Sequence, residues 1–414
     1  MDKKQRLLRN LRNRESQQAF RIVRKDLLAE YARREISPAG FATQRLCRVI
    51  DKRDGEDWYS PSIRNYFIFK ISQYLQPYFS FSNICQHELV RKIAVLGELT
   101  ITLMYLDNHA QDLKYGIRAE DQVSLEKNRA EYLQVRMLLT HWIDHEFDLW
   151  HGVMIHHMIG ELFTYYNMGM LLDEETLTYA CFDQNNPDNR HEINGDVLAF
   201  VDLEEEMALL RSSKKKYGQP TRTSYIELLL TRCHLMNALF FQLFAELCGK
   251  IFEAPDGVRV RIRKWSKRYG LMQQLVNDNI DYLPKDMAYP TNSKYKEDTF
   301  NDARRKLVTL PIITAAHKDD VATRRLIRYY QERGSGDKFW NPVEQKEALA
   351  NLISAGALNH AIHLTANFSK GGKGILNPAN PSTETMEDMF SMALHNQYYQ
   401  SYWEASKKNG IIRK

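Results

Sequence analysis

The sequence predicts an all-α protein: a single large antiparallel helical bundle. Three observations carry this. Pro (12) and Gly (19) are scarce for 414 residues, which disfavours a protein of many tight turns. The hydrophobic fraction is 43%, and its apolar residues fall in long runs with helical spacing. No region reads as strand-rich, and no repeat of 20–50 residues is visible.

The elements follow in order. Residues 1–35 hold eleven Lys/Arg and five Asp/Glu, while the rest of the chain is close to −1. Leu7, Leu8, Leu11, Phe20, Val23, Leu27, Leu28 and Tyr31 lie on roughly one side of a helix. A basic amphipathic helix docked on the main body, residues 36–414, is expected. Peripheral contact with a membrane surface is the alternative. The body has no basic excess, so nucleic acid is not an expected partner. Helices are expected over about 63–75, 86–107 and 124–170. An irregular insertion is expected over about 171–215, with Asn194-Gly195 as a turn signal. Helix returns over about 224–251 and, after a DGVRVR turn, over about 264–282. Further helices begin near Arg304 and Val343. A loop, SKGGKGILNPANPS, precedes a last helix near 384–407.

Five widely spaced cysteines without a CxxC argue against a disulfide framework or zinc ribbon and fit a reducing, cytoplasmic setting. The N-terminus has no apolar stretch of the signal-peptide kind. The longest apolar run, Leu235 to Leu247, is interrupted by Asn237, Gln242 and Glu246, so no membrane span is expected.

Two acidic helix ends could carry chemistry. In LMYLDNHAQD an apolar run leads into Asp107, Asn108, Gln111 and Asp112. Asp107/Gln111 and Asn108/Asp112 are one turn apart, and which pair is the functional one stays open. In YGLMQQLVNDNIDYLPKD an apolar helix runs into Asn277, Asp278 and Asp281, with Asn277 and Asp281 one turn apart. Carboxylates with this spacing suit Mg²⁺, a hard ion that takes oxygen ligands and substrate phosphates. Arg64, Arg222-Thr223, Lys285 and Lys306 supply cations and a hydroxyl suited to gripping a diphosphate. His141 and His145, with Asp144, Asp148 and His151, have a spacing zinc can use. They lack the Glu of HExxH, and polar lining is the default reading. Ser369 to Gly374 reads as a flexible loop, with a lid over phosphate as the sharper alternative.

GLMQQLVNDNIDYL resembles the second aspartate-rich motif of the trans-isoprenyl diphosphate synthases, G-x-x-x-Q-x-x-D-D-x-x-D. Gly270, Gln274, Asp278 and Asp281 match it, and Asn277 replaces the first Asp. Lys306 to Pro311 resembles the family's G-K-x-T-L-P segment, with Lys306 one place early. Arg222-Thr223 resembles its Lys-Thr pair, and Glu98 to Asp112 its E-x-x-H…D-D-x-x-D helix. The order agrees over about residues 60–365. The resemblance implies the class I terpenoid-synthase fold with a central apolar cavity. It implies Mg²⁺ held by Asp107, Asn108, Asp112, Asn277, Asp278 and Asp281. Arg64, Arg222, Thr223, Lys285 and Lys306 would then bind diphosphate, and Asp107, Asp278 and Gln274 would act in catalysis. The implied reaction ionises an allylic prenyl diphosphate and condenses it with isopentenyl diphosphate, and family members are often homodimers. Thr102 and Leu103 are not aromatic, which in this family leaves room for products longer than farnesyl. Two alternatives remain. Asn277 and Asp281 also fit the start of the terpene cyclase pattern N-D-x-x-S-x-x-x-E, whose third position is here Lys285. The substituted carboxylates also suit a catalytically silent partner of an active synthase.

Overall fold

The computed structural model describes residues 21, 23–36, 40, 42–43, 63–78, 83–114, 119–172, 202–211, 223–282, 302, 307–316, 347, 350–352 and 354–394. Residues 23–33 are helical. The later helices are α1 (Ile63–Leu75), α2 (Asn83–Lys114), α3 (Ala119–Glu146), α4 (Leu149–Leu171), α5 (Glu204–Arg211), α6 (Thr223–Cys233), α7 (Leu239–Ile251), α8 (Asp256–Ile280), α9 (Leu310–Ala316), α10 (Ala357–Gly372) and α11 (Thr383–Leu394). A 3₁₀ turn, Gln76–Tyr78, follows α1, and a π turn, His234–Ala238, joins α6 to α7. No β-strand occurs among the described residues, so the all-α expectation holds.

The chain forms two compact units. The first comprises Met1–Thr164, Leu243–Arg263 and Pro378–Met386. Its centre is α2, where Val90, Ile93–Leu96, Leu99, Ile101, Leu103, Met104 and Leu106 are buried. A helix apolar on every side must sit inside its unit. Thr100 and Thr102 are buried there because each hydroxyl donates to a carbonyl one turn back, Leu96 O at 2.8 Å and Glu98 O at 2.7 Å. Helices α1 and α3 pack on α2. Asn65 of α1 donates to the buried carboxylate of Glu98 at 2.8 Å, and Asn128 of α3 donates to Leu106 O at 2.7 Å. Asn380 closes the unit by donating to Tyr74 O at 2.7 Å.

The second unit comprises Tyr165–Gln242, Lys264–Asn377 and Glu387–Lys414. Trp265 and Tyr269 of α8 stack with centroids 5.4 Å apart, and Phe390 meets both edge-on. Arg268 of α8 pairs with Glu205 and Glu206 of α5 and donates to Gly371 O.

Four expectations are corrected. The stretch 124–170 is two helices, because Asp148 caps α4 by accepting from His151 N at 3.0 Å. The DGVRVR turn is the first part of α8, and Val258 N and Arg259 N donate to Pro255 O. Part of the insertion is helix α5, whose first turn holds Glu204, Glu205 and Glu206 at the favourable end of its dipole. The Ser369–Gly372 stretch is the last turn of α10 rather than a loop. Its glycines are needed for packing: a Cβ at Gly372 would lie 2.3 Å from the Phe390 ring, and one at Gly371 would lie 2.8 Å from Leu209. The stretch Ile226–Ile251 has the length and composition of a membrane span, but it is mostly buried within the protein, as a core helix is.

Candidate functional site

The second acidic helix end is the more fully defined. Helix α8 runs to Ile280, and its final turns carry Gln274, Asn277 and Asp278, with Asp281 just beyond. Asp278 and Asp281 are 1% and 2% exposed, whereas Asn277 is exposed. The i,i+3 pair therefore shares an interior environment that Asn277 does not enter. Both Asp278 oxygens accept hydrogen bonds. Oδ2 takes Nη2 of Arg232, and Oδ1 takes Nε2 of Gln274 at 2.7 Å. Asp281 Oδ2 accepts the backbone N–H of Asp302 at 2.9 Å. Asn279, also buried, donates to Thr365 Oγ1 at 3.0 Å.

Arg232 is missing from the set predicted by sequence. It lies in α6 at 2% exposure and forms an ion pair with Asp278. Its signal was an arginine inside the apolar run YIELLLTRCHLMNALFF, where burial demands an anion. The π turn follows directly. Asn237 of that turn donates to Gly270 O at 2.8 Å, fixing the turn against α8. Gly270 is the motif glycine, and its role is close approach: a Cβ there would sit 2.5 Å from Ala238 Cα.

The first acidic helix end belongs to α2. Asp107 and Asn108 are half-buried where the apolar run ends. Burial, and then the Asp107 carboxylate, raise the Tyr132 phenol above its ordinary pKa, so Asp107 presents its charge toward α3. Arg64 of α1 donates to the Tyr105 hydroxyl at 2.9 Å, two residues before Asp107. The described geometry thus joins Arg64 to Tyr105 and sets Asp107 near Tyr132 in the first unit, and brings Gln274 and Asp278 together, with Asp281 one turn on, in the second. Asp112 is helical, as is Thr223, but their side chains lie outside the described residues. Arg222, Lys285 and Lys306 lie wholly outside them. Of the segment after Lys306, Thr309 donates to the Tyr282 hydroxyl at 2.7 Å.

The histidine set divides into pairs. His141 and His145 meet edge-on with centroids 3.9 Å apart. His156 bonds Asp144 at 2.8 Å, and His151 bonds Asp148 at 2.5 Å. Among the described residues, no group of three or more His, Cys, Asp or Glu is placed to hold a metal ion. A groove of about 610 Å³ in the first unit is lined by Trp150, His151, Met154, His157, Lys250 and Arg259 among others; of the predicted metal, diphosphate and catalytic residues of the two aspartate motifs it holds none.

No protein-family model matches this sequence, and no curated protein does. Solved structures do. A decaprenyl diphosphate synthase from Rhodobacter capsulatus aligns at 14% identity and TM-score 0.54, over 92% of this chain and 96% of its own. A geranylgeranyl pyrophosphate synthase from Corynebacterium glutamicum, complexed with calcium and isoprenyl diphosphate, aligns at 12% identity and TM-score 0.57 over the same shares. A polyprenyl synthase from Caulobacter crescentus, likewise complexed with calcium and isoprenyl diphosphate, aligns at 15% identity and TM-score 0.54, over 94% of this chain and 97% of its own. At this identity the likeness establishes the fold: the chain has the all-α fold of the prenyl diphosphate synthases.

Proposed function

We propose that this protein is a prenyltransferase that ionises an allylic diphosphate and condenses it with isopentenyl diphosphate. One observation carries the reading. In a chain with the prenyl synthase fold, the residues named by both aspartate motifs stand toward the ends of α2, which buries a long apolar run, and of α8, which buries one apolar stripe.

The reaction breaks the allylic C1–O bond, and both electrons leave with pyrophosphate. The double bond of isopentenyl diphosphate donates the pair for the new C–C bond, and a proton is lost from its C2. The barrier is dominated by charge separation, so cations around the leaving group lower it most. Arg64, Arg222, Lys285 and Lys306 hold the diphosphates, with Thr223 as a hydroxyl donor. The oxygen donors at the end of α2 suit a hard cation, and Asp107, Asn108 and Asp112 would hold Mg²⁺, which supplies Lewis-acid neutralisation of the departing charge. Gln274 orients the polar groups at the end of α8 through its bond to Asp278. Apolar side chains exclude water, which would quench the cation.

The test is pyrophosphate release from geranyl, farnesyl and geranylgeranyl diphosphates with Mg²⁺, with and without isopentenyl diphosphate, followed by mass analysis. Release that requires isopentenyl diphosphate and adds five-carbon units is expected, and Asp107→Asn should lower it by about 10²-fold or more. Release without isopentenyl diphosphate would move the assignment to a terpene cyclase. That pattern needs Asn277 and Asp281 together, and the exposure of Asn277 weighs against it. The silent-partner reading draws support from the Arg232–Asp278 ion pair, which already neutralises a motif carboxylate. It predicts no release from any allylic substrate.

A further inference from the structure

We infer that the second acidic motif of this chain holds no divalent ion, because Arg232 supplies its cation from within the protein. The reading of α8 as an aspartate-rich motif comes from the proposed function; the ion pair itself does not depend on it. Asp278 Oδ2 is bonded to the guanidinium of Arg232, and Oδ1 takes the Gln274 amide at 2.7 Å. Asp281 Oδ2 takes the backbone N–H of Asp302 at 2.9 Å, and Asn277 is exposed. A divalent ion of the Mg²⁺ kind needs carboxylate oxygens and room for several waters. Here each oxygen of a 1% exposed carboxylate already accepts from a protein donor, one of them a cation. A guanidinium and a divalent cation on one buried carboxylate are alternatives, because a second cation would be unbalanced in a poorly screened place. The alternative is built in rather than accidental. Arg232 is itself buried and needs an anion, and the π turn after it is tied to α8 by the bond from Asn237 to Gly270 O at 2.8 Å. The motif's missing first carboxylate, replaced by Asn277, fits the same account: with the cation covalently supplied, one negative charge fewer is needed.

The experiment counts Mn²⁺ ions bound to the full chain by electron paramagnetic resonance, with inorganic pyrophosphate present. Asp278→Asn should bind as many ions as the parent protein, and Arg232→Met should bind one more. Fewer ions in Asp278→Asn would overturn the inference, as would no gain in Arg232→Met. Either single change leaves a buried charge and threatens folding. The double variant Arg232→Met/Asp278→Leu removes both charges and should bind the parent number, and a lower count would again overturn the inference. If the parent binds no ion, the proposed function loses its Mg²⁺, while the gain in Arg232→Met still decides the inference.

Discussion

Gly270 shows how a motif residue acquires a physical reason. The sequence marks it only as the first position of a pattern, and the structure places it where a side chain would strike Ala238 and Phe241. Gly270→Ala should destabilise the protein by about 1–3 kcal/mol through overpacking, read as a lower midpoint in chemical denaturation. An unchanged midpoint would mean that the π turn can shift away. Asp278 and Asp281 were legible as acidic residues that close an apolar helical run, and Gln274 only through the motif it completes. Arg232 was not, because motif spacing describes ligands and not the partners that hold them. Cys248 offers a second test at this scale. Burial pushes its thiol up to about 12, so at neutral pH it carries almost no thiolate. Iodoacetamide followed by peptide mass mapping should leave Cys248 unmodified in the native protein and modify it in denaturant.

Elements were legible where periodicity was strong and obscure where one residue decided a boundary. Helices α1 and α2 follow from their apolar runs. The break between α3 and α4 turns on Asp148 as a cap, and apolar residues continue on both sides of it. Helix α5 was hidden in a polar insertion because its stability comes from partners distant in sequence. Glu205 bonds Lys264 at 2.6 Å, and Glu206 meets Lys267 at 2.9 Å and Arg268 at 3.3 Å. The bond from Lys264 is the main cause that holds the Glu205 carboxyl below the ordinary glutamate range. A carboxyl depressed in the folded state stabilises the protein above its unfolded pKa, and that contribution is lost as pH falls through the folded value. Glu205→Gln should therefore flatten the fall of Tm below about pH 5. Arg268→Met should destabilise the protein at neutral pH, because it strips a cation from the buried Glu206. About 3 kcal/mol is expected, and a loss under 1 kcal/mol would show that Lys267 suffices.

At the scale of the whole molecule, the question is what the basic N-terminal segment does. Its charge suggested two roles, a helix docked on the body or one laid on a membrane surface, and composition cannot separate them, because both need one apolar face. Contacts can. Val23, Leu27, Tyr31 and Ile36 are 0–3% exposed, Asp26 pairs with Arg91 of α2 at 2.7 Å, and Ala42 N donates to Glu131 of α3 at 2.7 Å. The spacing of 23, 27 and 31 is the stripe that a helix buries against its own unit. Leu28 is the internal control, since it is a leucine on the same helix and only half-buried. Leu27→Ala should cost about 2–5 kcal/mol of stability, whereas Leu28→Ala should cost under about 1 kcal/mol. A helix whose apolar face served lipid would give small losses in solution for both, and both changes would weaken sedimentation with anionic vesicles. With the apolar face of residues 23–36 covered within its unit, any vesicle binding by this stretch should come from its Lys and Arg alone, and should vanish near 0.5 M salt, where charges are screened over roughly 4 Å.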